Sequence, residues 1–340
     1  MAKPQQPDAI IQAGDFIQNA DKDVTPSNDE GRVPVLESDA RIHANFLPLP
    51  DPPVSALSQG IAWEWETLTS VPANVNSNGK QMAYAGGDYI YLIRTAGTTT
   101  FYRYSISGNS WSTMASLPGT TANGSNLIWG GGDFLYALRG NNSTTFYRYS
   151  ISGNSWSTMA SVPGAANNGA GMAYDGDDFI YALRGDNSTG FYRYSISGDS
   201  WSTMAVTPAN IEEGSSLIYT GGDYLYAPRG DSQLTFYRYS ISGDSWSTMA
   251  NAPGDIAGGS GGAYAGGDYI YYTRGSNEVS FYAYVITRNI WLTLQDVPST
   301  VFPGGGLSYG GGEYIYVLRG TTSFSRIGGR PSNTYENYMQ

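Results

Sequence analysis

The chain has 340 residues, enough for one large domain or two ordinary ones, and its 40% hydrophobic content supports a substantial core. A net charge of −11 argues against binding to phosphate backbones, and the absence of Cys together with a single His43 removes disulfides, thiolate nucleophiles and multi-histidine metal clusters. Only 14% of residues are charged, 28 Tyr and 44 Gly suit strands joined by tight turns, and no run approaches the ~20 apolar residues of a membrane helix.

Residues 1–57 are polar and end in Leu-Pro-Leu-Pro-Asp-Pro-Pro at 47–53, a proline density that neither a helix nor a central strand tolerates. They read as an extended anchoring arm and stiff linker. The first residues lack an apolar h-region, which predicts no secretory signal peptide. Two short apolar patches, Val33/Val35/Leu36 and Ile42/Phe46/Leu47, flank Glu37-Ser38-Asp39. Each buries too little to fold alone, so the segment is expected to order by docking on a partner. Gly31-Arg32-Val33-Pro34-Val35-Leu36 and Arg41-Ile42-His43-Ala44-Asn45-Phe46-Leu47 resemble connector segments of bacteriophage tail-fibre and virion-surface proteins. That resemblance implies virion or tail proteins as partners of residues 1–57, and localisation to a virion assembled in the host cytoplasm.

Beyond residue 57 the sequence becomes periodic. Residues 101–116 (FYRYSISGNSWSTMAS) return unaltered at 146–161, and nearly so at 191–205 and 236–250, a period of 45 residues. Such a period signals one supersecondary unit copied many times, each copy burying its apolar face against its neighbours. Trp65, Trp111, Trp156, Trp201, Trp246 and Trp291 count six copies. Asp88, Asp133, Asp178, Asp223, Asp268 and Glu313, each after a glycine-containing turn, also give six.

Within the first complete unit, Gln81–Ala85, Tyr89–Arg94, Phe101–Ser107 and Trp111–Ser116 read as four strands, with turn chemistry at Gly86-Gly87-Asp88 and Gly108-Asn109-Ser110. Four antiparallel strands make one blade. The last unit lacks a Trp strand, whereas Trp65 opens the array with no strands before it. The segment Gly60–Thr67 is therefore expected to complete the last blade and close the ring. The predicted fold is all-β: an N-terminal arm (1–57), a six-bladed β-propeller (58–328) and a short C-terminal tail (329–340).

The Tyr104/Trp111, Tyr149/Trp156, Tyr194/Trp201, Tyr239/Trp246 and Tyr284/Trp291 pairs, each seven residues apart, resemble the blade pattern of Kelch-repeat propellers. The family's paired glycine at the end of the second strand is replaced here by Arg-Gly, as at Arg139-Gly140. The copper chemistry of Kelch-like oxidases needs a Cys and several His, which the chain lacks. No cofactor or metal is expected.

Antiparallel connectivity sorts the loops. Joins one–two and three–four share a face built from repeated turns, and joins two–three and four–one share the opposite face, where the copies differ. Loops on a rigid scaffold are where binding concentrates. The candidate ligand-binding residues are Arg139, Arg184, Arg229, Arg274, Asn142, Asp186, Asn187, Asp231, Gln233 and Asn277. The arginines, with Arg94 and Arg319, suit an anionic glycan; the structural alternative is that each pairs with a nearby carboxylate or stacks on a neighbouring Tyr. The mid-strand series Arg103, Arg148, Arg193 and Arg238 reads as packing. The acidic series from Asp88 reads as turn stabilisation.

These features favour a non-enzymatic structural or adhesive virion protein: a tail-fibre, tail-tip or decoration protein anchored by its arm and displaying the propeller to a host-surface glycan or protein. Nucleic acid and membrane insertion are not expected. Two alternatives stand beside it. One is a depolymerase-like carbohydrate-active enzyme using carboxylates among Asp186, Glu212, Glu213, Asp231 and Glu278; the other is an intracellular Kelch scaffold.

Overall fold

In a computed structural model, residues 63–76 and 79–329 are described, and they form six four-stranded antiparallel sheets arranged as a β-propeller. Blade one comprises Met82–Tyr84, Tyr89–Ile93, Phe101–Ser105 and Ser110–Thr113. Blades two to five repeat this order at each 45-residue step. The inner strands lie side by side round the axis, and that of blade six, Gly305–Tyr309, adjoins both Gly261–Tyr264 of blade five and Met82–Tyr84 of blade one.

The seam closes as the unmatched ends require. Trp63–Thr67 pairs antiparallel with Phe324–Gly329 as the outer strand of blade six, with Trp65 opposite Ile327. Arg326 Nε donates to Glu66 Oε2 across this pair at 2.7 Å. Residues 60–62 and the arm positions Val33, Val35, Leu36, Ile42, Phe46 and Leu47 lie outside the described residues.

Burial falls from axis to rim, and the residue types follow it. Second strands such as Phe134–Leu138 are sheltered on both faces and nearly all apolar. Third strands alternate, as in Phe146–Ser150. Fourth strands are exposed Ser/Thr edges with a half-buried Trp. The third strand of blade one ends at Ser105, short of the expected Ser107, because the Ser105 hydroxyl is recruited to the turn: it donates to Asp88 and accepts from the Gly108 amide.

Blades are joined by aromatic rings. Phe101 meets Tyr149 of the next blade at 4.8 Å and Trp156 at 5.0 Å, and the same triad recurs round the ring. At the seam, Phe324 of blade six packs on Tyr104 and Trp111 of blade one at 5.0 and 5.2 Å. Such edge-to-face pairs add about 0.5–1.5 kcal/mol each beyond the area they bury.

Candidate functional site

On the face of repeated turns, the five aspartates of the acidic ring are structural. Asp133 Oδ2 accepts the Ser150 hydroxyl at 2.6 Å and Oδ1 accepts the Ser152 amide at 2.8 Å, tying the one–two turn to the three–four turn. Asp88, Asp178 and Asp223 repeat both bonds, and Asp268 uses Thr287 instead. The Ser hydroxyls hold Asp88, Asp133, Asp178 and Asp223 below the ordinary carboxylate range. The mid-strand Arg103, Arg148, Arg193 and Arg238 lie over the rings of Tyr89, Phe134, Phe179 and Tyr224 at 4.2–4.5 Å.

On the opposite face, the arginines at the ends of second strands hold loops. Arg139 Nε donates to the Thr120 carbonyl and Arg184 Nε to that of Ala165, both at 3.1 Å. Arg94 reaches Asn74 at 3.0 Å and Arg229 reaches Asn210 at 3.4 Å in the same way. Their partner is a backbone carbonyl of the loop entering the same blade. Arg274 adds ion pairs with Asp255 and, at 3.4 Å, with Glu278. Arg319 differs: its buried Nε has no partner among the described residues, and desolvation lowers its pKa.

The loop candidates sit at the tips of tight turns. Asn142, Asn187, Asp231 and Asn277 are exposed, with φ of 55°, 54°, 55° and 62°. Asp186 is half-buried at φ 58° and accepts from Asn167 Nδ2 at 3.3 Å. Left-handed backbone favours Asn, Asp and Gly, so the turn selects these residue types before any ligand does. Gln233 is bridged to Ile256, and its Nε2 donates to the Asp231 carbonyl at 3.2 Å. Of the carboxylates here, Glu212 is pushed up by desolvation and by the charges of Asp231 and Asp186.

The axis carries a cavity of about 240 Å³ that the sequence reading did not single out. Toward the turn face it is ringed by six aromatics, one per blade: Tyr84, Trp129, Tyr174, Tyr219, Tyr264 and Tyr309. Each donates its polar hydrogen to the carbonyl three residues on, which fixes the ring and leaves its carbon body toward the axis. The middle is apolar, with Met82, Ile128, Leu217 and Leu307 among its walls. At the opposite end stands Lys80, the one charged side chain lining the cavity among the described residues. Alignment of the copies would have found it, because the matching positions hold Ser125, Ala170, Ser215, Ser260 and Gly305.

No family model and no curated protein matches the chain. Among solved structures it is similar to a structural-genomics protein of unknown function from Bacteroides thetaiotaomicron, at 14% identity and TM-score 0.58, over 79% of this chain and 76% of that one. It is also similar to YjhT, at 12% identity and TM-score 0.58, over 76% of this chain and 96% of that one. At these identities the likeness establishes the fold alone: the chain carries a six-bladed β-propeller.

Proposed function

We propose that the protein is a non-catalytic recognition module, a Kelch-like propeller that its N-terminal arm anchors to a phage virion and that offers its variable face to a host-surface glycan or protein. The observation that carries this reading is the division of labour between the faces. Residues shared by most copies are consumed in links that hold turns and blades together, as with Asp133 and Ser150, whereas exposed tips of the opposite loops change from copy to copy, as at the single repeat position held by Asn141, Asp231 and Ser276. A rigid scaffold with variable loops is the usual arrangement of a binding protein. The virion setting rests on the arm's resemblance to tail-fibre connectors.

Two measurements test it. Deleting residues 1–50 should leave a folded, soluble propeller that no longer enters the assembled particle, and incorporation of the truncated protein would overturn the anchoring role. Full-length protein should bind host cells in a manner lost when Asn142, Asn187, Asp231 and Asn277 are all replaced by Gly, which their backbone angles accept. Undiminished binding would remove the variable face from recognition.

One observation favours a second reading. Glu212 has a raised pKa beside the carboxylates of Asp231 and Asp186, the kind of environment that keeps a general acid protonated. A depolymerase built on this group would release reducing ends from host polysaccharide, and Glu212→Gln would abolish the release. Absence of new reducing ends from wild-type protein leaves the recognition reading in place.

A further inference from the structure

Six near-identical copies place six equivalent residues round the axis at the level of Lys80, and five of them are Ser, Ala or Gly. An array that kept lysine at all six positions would face its own repulsion, so one lysine among small residues breaks the pseudo-symmetry at the place where charge is felt most strongly. Among the described residues, ion pairs join Arg274 to Asp255 and Glu278 and Arg326 to Glu66, and none reaches Lys80. Burial lowers its pKa to about 8, so it remains mainly cationic at neutral pH.

A cation that lines a low-dielectric cavity with no ion-pair partner among the described residues is costly to maintain, and an anion entering that cavity would offset the cost. Ser125 gives its hydroxyl to the carbonyls of Ala122 and Arg139, and Ser215 gives its own to Pro228. The hydroxyl of Ser260, which is only 8% exposed, has no partner among the described residues.

From Lys80 the wall runs through Met82, with Leu217, Gly262 and Leu307 at the same level of other inner strands, to the aromatic collar at Tyr84. Four residues of strand span roughly 13 Å. The cavity is thus cationic at one end, apolar along its length and aromatic at the other end. Its volume of about 240 Å³ lies below the ~300–1,000 Å³ of pockets that take drug-sized molecules. We propose that this axial cavity binds a slender amphipathic carboxylate, with the anionic head at Lys80 and the apolar tail directed toward the aromatic collar. The site is separate from the variable-face loops and does not depend on what they recognise.

Calorimetry on the full chain tests this with three probes of one length: octanoate, its neutral analogue octanamide, and octylammonium. Octanoate is expected to bind with one site per chain, octanamide at least tenfold more weakly, and octylammonium not at all. Affinity for octanoate should be level between about pH 6 and 7 and fall as the pH rises through about 8, as Lys80 loses its proton. The decisive variant is Lys80→Ser, which installs the residue carried by three other blades and so carries little risk to folding. It should reduce octanoate affinity at least tenfold, to the level of octanamide, while octanamide binding is unchanged. Equal binding of octanoate and octanamide, retention of octanoate by Lys80→Ser, or no binding of octanoate would each overturn the proposal. In the last case host-cell binding through the loops would be unaffected, which keeps the two readings distinguishable.

Discussion

Asn154 of blade two holds Ala115 of blade one: its Oδ1 accepts the Ala115 amide at 2.9 Å, and the same oxygen takes the Tyr149 hydroxyl at 2.6 Å. Two residues further on, Trp156 Nε1 donates to the Ala115 carbonyl at 2.9 Å. One loop residue is thereby gripped at both backbone groups by the neighbouring blade. The device recurs with Asn109 and Trp111 on Thr69, Asp199 and Trp201 on Ala160, Asp244 and Trp246 on Ala205, and Asn289 and Trp291 on Ala250.

Asn154→Ala should therefore cost about 1–3 kcal/mol, because it strands the buried Tyr149 hydroxyl as well as the Ala115 amide. It also places Ala at a backbone φ of 44°, which adds to the cost. Asn154→Asp should be close to neutral at pH 7, since Asp199 and Asp244 do the same work in blades three and four. Urea unfolding of the two variants beside the parent checks both statements, and a destabilised Asp variant would show that the acceptor atom is not what matters.

The blade itself was legible in the sequence for a local reason. Tyr149 and Trp156 sit directly opposite each other on paired strands, so their separation of seven residues is the signature of one hairpin. The clamp on Ala115 was not legible, because it joins residues 39 apart through the stacking of two blades. The loop candidates were visible as residue types but not as conformations. Asn142 reads equally well as a ligand contact and as a turn residue until its φ of 55° is known. Lys80 is invisible to a pattern built on what repeats, because its position holds Ser, Ala or Gly in every other blade.

The turn interpretation of Asn142 has its own test. Asn142→Gly should change stability by no more than a few tenths of a kcal/mol, since Gly accepts positive φ freely. Asn142→Val should cost about 1–3 kcal/mol, because a β-branched residue in the left-handed region is strained. Equal tolerance of both substitutions in thermal melts would mean that the loop relaxes and its backbone does not dictate the residue.

The seam makes a spatially resolved prediction. Trp65 packs edge-on against Phe281 of blade five at 5.5 Å, and its strand joins the start of the array to its end by strand pairing. Trp65→Ala should lower stability by about 2–4 kcal/mol, somewhat less than for a fully buried Trp. Hydrogen exchange should then quicken first in Trp63–Thr67 and Phe324–Gly329. Trp156→Ala, in mid-ring, should destabilise by a similar amount without that local opening. Uniform exchange in both variants would argue that the ring unfolds as one unit whichever blade is weakened.

Acid should act on the turn face through the Asp–Ser links. The folded-state pKa of Asp133 lies below its unfolded value chiefly because the Ser150 hydroxyl donates to the carboxylate. A carboxylate shifted in that direction contributes stability that is fully present above the unfolded value of about 3.9 and is lost as pH falls through the folded value. Ser150→Ala removes the main cause of the shift and brings the two values closer, the Ser152 bonds to Asp133 remaining. The parent should accordingly exceed the variant in stability by the largest margin at neutral pH, and the margin should shrink below about pH 4 as Asp133 becomes protonated in both. Urea titrations of parent and variant at pH 7 and at pH 2–3 measure the two margins. A margin independent of pH would mean that the Ser150 hydroxyl stabilises the turn through the Gly153 amide it accepts, at 3.0 Å, and not through the charge on Asp133.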